Sequence, residues 1–216
     1  MKYNSRDRLD MDINLITATS ELLQIGRVGR TFKMLYDSTP VRIATTALRV
    51  PFAVREIKSD YSNFTNCSID CNLVDQSEQE NYDALDERFK NVIRFSKVLV
   101  TDDSVDFSDD SFYFDMFKPN KDFPRLVKIC LPRDRNGNFD FTLFDKDKTQ
   151  IRVTDANVQE LFSNSPVIKA IIECKSIWVF KGRIGITWNL VQARFGSPKV
   201  VNSLPNVKPD FTQNLM

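Results

Sequence analysis

The stretch from Val167 to Phe195, VIKAIIECKSIWVFKGRIGITWNLVQARF, limits what this chain can fold into more than any other. Lys181-Gly182-Arg183 interrupts two runs rich in Ile, Val and Trp, which predicts a long β-hairpin turning on a glycine-containing loop. In the first run Ile168, Ala170, Ile172, Cys174, Trp178 and Phe180 hold the even positions, with Lys169, Glu173 and Lys175 alternating between them. In the second, Ile184, Ile186, Trp188 and Leu190 keep the same two-residue step. Side chains alternate between faces along a strand, so this spacing predicts one apolar face and one polar, largely cationic face. From Ser165 to Lys208 the chain carries seven basic residues (Lys169, Lys175, Lys181, Arg183, Arg194, Lys199, Lys208) against the single acid Glu173. A basic, aromatic-laced β-surface suits a nucleic-acid platform.

The net charge of +1 conceals an uneven distribution. Residues 1–59 hold 10 basic and 6 acidic side chains, residues 60–117 hold 4 and 14, and residues 118–216 hold 16 and 9. A basic face and an acidic face cancel in the total, so the total says little about partners. At 216 residues and 42% hydrophobic content, the chain suits one large domain with appendages. The expected division is an N-terminal arm over 1–35, a β-barrel domain over 36–196 and an extended tail over 197–216, rich in Pro198, Pro205 and Pro209. No run of about 18 apolar residues and no basic-then-apolar leader is present, so neither a membrane span nor a secretory signal is expected. The expected location is intracellular.

Local patterns fill in the barrel. Tyr36-Asp37-Ser38-Thr39-Pro40 is turn chemistry, and Val41 to Lys58 gives two strand-like runs broken near Pro51. Phe64 to Val74 sets Thr65, Cys67, Ile69, Cys71 and Leu73 against Asn66, Ser68, Asp70 and Asn72, predicting one core side and one wet side. A helix is expected from about Ser77 to Val100, with Ser77 and Glu80 in capping-box spacing and Leu85, Phe89, Val92, Ile93, Ser96 and Leu99 along one stripe. Arg125 to Pro132 and Phe139 to Asp145 flank Asn136-Gly137, a strong hairpin signal. A short helix is expected over Ala156–Phe162. Eight or more strands, one long helix and no βαβ alternation predict a mainly β protein, an antiparallel OB-like barrel with an inserted helix and extra hairpins.

The chain has no histidine, which removes Ser-His-Asp and Cys-His catalysis together with the commonest metal ligand. There is no GxxxxGK[ST] loop and no GxGxxG, and six glycines leave little for phosphate cradles. Cys67 and Cys71 are four residues apart in an alternating run, a span of roughly 13 Å, too far to share one zinc ion. The acidic loop of Asp102, Asp103, Asp106, Asp109 and Asp110 lacks EF-hand spacing and reads as a solvated connection. No cofactor, metal or catalytic residue is expected. The remaining enzymatic reading, a magnesium-dependent or carboxylate-based hydrolase built on Asp140, Asp145 and Asp147, rests on acids that are ordinary for a strand and its turn.

Three segments, taken in order, resemble the OB-fold single-stranded DNA-binding proteins of large nucleocytoplasmic DNA viruses, themselves likened to the phage T7-type single-strand binder. They are Tyr36 through Val54, Lys118 through Phe144, and Ile177 through Gln192 with Trp178, Gly182, Gly185, Trp188 and Gln192. The resemblance implies non-catalytic coating of exposed strands in viral replication, recombination or repair, in a cytoplasmic virus factory or the host nucleus. It also implies replication proteins as partners. T7-type proteins end in an acidic tail closed by an aromatic residue, whereas PDFTQNLM here holds one acid, a departure that counts against recruitment through the tail.

A sequence-tolerant single-strand binder needs cations along a groove and flat rings at intervals. The cationic candidates are Arg42, Arg49, Arg55, Lys128, Lys169, Lys175, Lys181, Arg183 and Arg194; the stacking candidates are Trp178, Phe180 and Trp188, with Phe112 and Tyr113 behind them. An aromatic on the apolar face of a hairpin is more often core, and a lone Lys or Arg more often a solvated charge. The alternative from another class is a structural virion protein whose barrel faces sister subunits. Single-stranded DNA is the expected partner, RNA the second candidate, and a homo-oligomer is compatible with both readings.

Overall fold

The computed structural model describes residues 22–58, 64–96, 105–120 and 123–196. Within the segment expected to be an arm, β1 (Leu23–Val28) and β2 (Thr31–Tyr36) form a hairpin turning at Gly29, where φ is +63°. Asp37 and Ser38 take positive φ and fold the chain into β3 (Thr39–Pro40), so the predicted turn is there. Short strands follow: β4 (Arg42–Ala44), β5 (Leu48–Arg49) and β6 (Arg55–Ile57). Then come β7 (Asn66–Leu73), helix α1 (Gln79–Phe95), β8 (Tyr113–Phe114), β9 (Lys118–Asn120) and β10 (Phe123–Leu131). The last third holds β11 (Thr142–Phe144), β12 (Gln150–Ile151), the short α2 (Val158–Leu161), β13 (Val167–Phe180) and β14 (Arg183–Phe195).

β13 and β14 pair along almost their whole length. Lys181 and Gly182, at φ of 49° and 74°, supply the two left-handed turn residues whose twist matches that of the flanking strands. On its free edge β13 takes β2, β4 and β5 in succession, while β14 takes β8, β10 and β11. β5 pairs with β7 and β7 with β10, so the path β13–β5–β7–β10–β14 returns to β13 and closes a five-stranded ring. The mainly β, OB-like expectation holds. The sheet is mixed, however, because β8, β10 and β11 all lie parallel to β14. Parallel neighbours need a crossover longer than a hairpin. Here long connections separate these strands from β14 in the chain, which a local turn signal does not reveal. The Asn136-Gly137 turn forms, closed by the bridge between Arg133 and Phe139, but β11 then leaves β10 and joins β14.

The inside of the ring is the core, and α1 lies against it. Tyr82, Leu85, Phe89 and Ile93 of the helix are buried, with the Phe89 ring 5.9 Å from that of Trp188. The helix begins differently from the Ser77 capping-box expectation: Asp75 accepts from the Ser77 amide at 3.0 Å and caps a 3-10 turn over Gln76–Glu78 that leads into α1. Its predicted continuation over 97–100, with Leu99, lies outside the described residues, as does the tail after Gly196. β7 keeps Cys67, Ile69, Cys71 and Leu73 inside as expected, yet its other side is wet only at its ends, at exposed Asn66 and half-buried Asn72. Ser68 and Asp70 are buried too, and Arg55 pairs with the Asp70 carboxylate at 2.8 Å.

Asp86 ties the helix to the chain that follows it. Its carboxylate accepts from the Tyr113 hydroxyl at 2.9 Å and from the Met116 amide at 2.7 Å, and burial nevertheless pushes its pKa up to about 7. The folded state therefore keeps a proton that the unfolded chain loses near pH 4, so Asp86 favours folding in acid and that advantage fades as pH rises from 4 to 7. Exposed Asp106 and Asp110 and half-buried Asp134, held low by hydrogen bonds from Ser108, Lys90 and Asn138, act in the opposite direction. The difference between wild type and Asp86→Asn isolates the buried group. In denaturant titrations between pH 4 and 8, the wild type should lose on the order of 4 kcal/mol relative to the variant, for about three pKa units at 1.36 kcal/mol each. Parallel pH profiles for the two proteins would show that Asp86 ionises as freely in the fold as outside it.

Candidate nucleic-acid interface

A single irregularity decides which aromatic rings reach the surface. Between Cys174 and Ser176 the β13–β14 register shifts, leaving Lys175 as the extra residue of a β-bulge. An added residue moves every later side chain to the opposite face. Ile168, Ala170, Ile172 and Cys174 point inward as the alternation predicts; past the bulge Ile177 takes the inward place. Trp178 and Phe180, expected on the apolar face, turn outward instead: Trp178 is half-buried and Phe180 is 64% exposed.

Paired residues share a face of an antiparallel ladder, so the outer surface can be read from the register. Lys169 lies opposite Arg194, Glu173 opposite Asn189, Trp178 opposite Gly185 and Phe180 opposite Arg183. β8 adds Phe114 beside Gly185, β10 adds Cys130 beside Asn189, and β4 adds Arg42 beside Glu173. Lys128 on β10 and the bulge residue Lys175 are both exposed, and both lie close enough to the Cys130 thiol for their charges to oppose the rise that burial gives its pKa.

At the turn end of the hairpin the rings and cations interleave. The Trp178 indole lies over Gly185, where a Cβ would stand 2.3 Å from its Cζ2, and the Phe114 ring is 5.6 Å away. Arg183 places its guanidinium carbon 5.1 Å from the Phe114 centroid and Lys118 its Nζ 4.8 Å from the same ring. Loss of solvent, and then the neighbouring Lys128 charge, lower the Lys118 pKa. Lys181 sits 5.3 Å over Phe180. Phe114 and Lys118 are absent from the sequence-based candidates. The signal for Phe114 was its alternation with Tyr113; which of the two faces outward depends on β8 pairing with β14, a contact no local pattern carries.

The other three stacking candidates are core residues. Trp188 is 2% exposed against Phe89, and its indole N–H has no partner among the described residues. Phe112, 1% exposed, packs 5.0 Å from Phe107 beneath the Arg94 guanidinium. Tyr113 is 7% exposed and donates its hydroxyl to Asp86. None offers a ring face to a base.

The cations divide into two groups. Arg42 donates from Nε and Nη2 to the same Glu173 oxygen, at 2.8 and 2.7 Å, and Arg55 is paired with Asp70. Lys128, Lys169, Lys175, Lys181, Arg183 and Arg194 form no ion pair among the described residues. Arg49 is exposed on β5, between β13 and β7 and so on the far edge of β13 from β14. The outer face continues into a groove of about 320 Å³ lined by Arg42, Glu173, Asn189, Phe139, Asp140 and Phe141. Among the described residues no three His, Cys, Asp or Glu side chains come together as a metal site. No described helix is long and apolar enough to cross a membrane.

The chain is similar in fold to a solved structure, the single-stranded DNA-binding protein from bacteriophage Enc34 in complex with single-stranded DNA. The likeness has a TM-score of 0.50 at 12% identity and covers 82% of this chain and 96% of that one. The two chains share a fold. A C-terminal truncation of the phage protein and the protein on its own each give a TM-score of 0.47 at the same identity. No family model matches this sequence, and no curated protein matches it.

The seat of Trp178 on Gly185 gives a direct test. Gly185→Ala should displace the indole and cost roughly 1–3 kcal/mol of stability, the usual range for overpacking. Tryptophan emission should shift to the red, because Trp188 stays buried and only Trp178 moves toward water. An unchanged spectrum and melting temperature would mean that the ring does not rest on this glycine.

Proposed function

We propose that this chain binds single-stranded DNA without cleaving it, gripping the strand across the outer face of the β13–β14 hairpin. The observation that carries the reading is the joint placement on one face of outward rings, Trp178, Phe180 and Phe114, with cations that have no carboxylate partner among the described residues, Lys128, Lys175 and Arg183. A single strand exposes phosphates and unstacked bases together, and this face offers a partner to each. Rings accept any base by stacking, which makes binding tolerant of sequence, while the Lys and Arg side chains follow the backbone. The shared fold with a phage protein whose title places it on single-stranded DNA supports the assignment. Protection of exposed strands during replication, recombination or repair, in a viral setting, is the role such chemistry suits.

Binding and coating require no reactive group, which accords with a chain free of histidine. Lys169 and Arg194 extend the cationic face toward the far end of the hairpin. They lie eleven residues along β13 from Phe180, roughly 36 Å at strand spacing, enough for a strand several nucleotides long.

Fluorescence anisotropy with labelled oligonucleotides tests the proposal. Trp178→Ala and Phe114→Ala should each weaken binding by about 1–3 kcal/mol, the range for a stacking ring. Arg183→Ala, Lys128→Ala and Lys175→Ala should each flatten the plot of log affinity against log salt by about 0.7. Absence of binding at low salt, or binding indifferent to salt, would reject the proposal. Self-assembly into particles without oligonucleotide affinity would favour the structural virion reading instead.

A further inference from the structure

We propose that the groove between Glu173 and the Phe139–Phe141 pair is a pocket for one unstacked base bearing an exocyclic amine, and that it disfavours thymine. The inference rests on the single-stranded DNA reading and names a subsite within that surface. Glu173 is the sole carboxylate of the β13–β14 hairpin, and it faces outward among cations. Arg42 occupies one of its oxygens twice over; the other, Oε1, has among the described residues only Lys33 Nζ at 3.9 Å. The glutamate side chain is 20% exposed, so the pair holds it in place at the groove.

Asp140 adds a second, exposed carboxylate to the lining. Glu173 and Asp140 balance Arg42 and Lys33, so the groove offers phosphate no net attraction. The backbone is thereby steered toward Lys128, Lys175 and Arg183, leaving the groove to bases. Phe139 and Phe141, which meet edge to face at 5.7 Å, also line the groove; Arg133 covers one face of Phe139, and the remaining ring surface gives a base hydrocarbon to lie against. A carboxylate in the slot selects a donor: adenine, cytosine and guanine each carry an exocyclic amine, whereas the one donor of thymine, its ring N–H, lies between two carbonyls, one of them where cytosine has its amine. A thymine carbonyl facing Glu173 sets two acceptors against each other.

The test compares oligothymidylate with an oligomer of the same length in which alternate thymines are replaced by cytosine, both pyrimidines of similar stacking area. Wild-type protein should prefer the cytosine-bearing strand about five- to tenfold, the lower part of the range for one good base pairing to a side chain. Glu173→Gln keeps the shape and should bring the ratio near one while raising affinity for both strands, since Arg42 and Lys33 are released to phosphate. Asp140→Asn, at an exposed position away from the Arg42 pair, should lower the same ratio by a smaller factor; thermal melts confirm that each variant is folded. Equal wild-type affinity for the two strands would overturn the pocket and leave DNA binding intact. So would a preference that survives both substitutions. Failure to bind either strand would instead remove the DNA-binding reading itself.

Discussion

The ladder between β13 and β14 is the contact on which the rest of the structure depends. β13 offers its free edge to three short strands and β14 to three more, so one hairpin holds both ends of the closed ring. Its inner face supplies Ile168, Ile172, Cys174, Ile184, Trp188 and Leu190 to the core, and its outer face supplies the cations and rings. The bulge at Lys175 lets one strand serve both purposes. Without the extra residue Trp178 would share the inward side with Cys174, and the turn end of the hairpin would present Ile177 to water.

The second support comes from α1. By fixing Tyr113 and Met116, Asp86 anchors the segment that carries Phe114 and Lys118 to the outer face. A buried carboxylate costs stability at neutral pH, and two good donors reduce that cost without removing it. What the pair of hydrogen bonds achieves is position: the residues from Tyr113 to Met116 are held beside the ring.

Much of the architecture was legible because local chemistry and tertiary structure agree. The Lys181-Gly182 turn, the alternation in β7 and the apolar stripe of α1 each stand on patterns that span fewer than twenty residues. The errors fall where a distant contact decides. Period-two counting carried Trp178 and Phe180 inward, since a bulge leaves no mark in composition. It could not tell Phe114 from Tyr113, because the direction of β8 is set by β14 about seventy residues later. The outward half of β7 looked wet until Arg55 from a neighbouring strand covered Asp70. No candidate cation is buried, whereas three of the five candidate rings are, since a charge on a strand stays at the surface whichever way the register runs and a ring is at home on either side.

The ring is joined between its earliest member and the final hairpin: β5 lies near residue 48, while the β13 segment that receives it begins at Val167. During synthesis, therefore, β5, β7 and β10 emerge long before the strands that complete them, and their edges stay unsealed until the ribosome has passed Phe195. Proteins dominated by such distant pairings fold slowly and are prone to aggregate on the way. For this chain the hazard is concentrated in translation, and a helper that shields nascent strand edges would matter more to its yield than to the finished molecule.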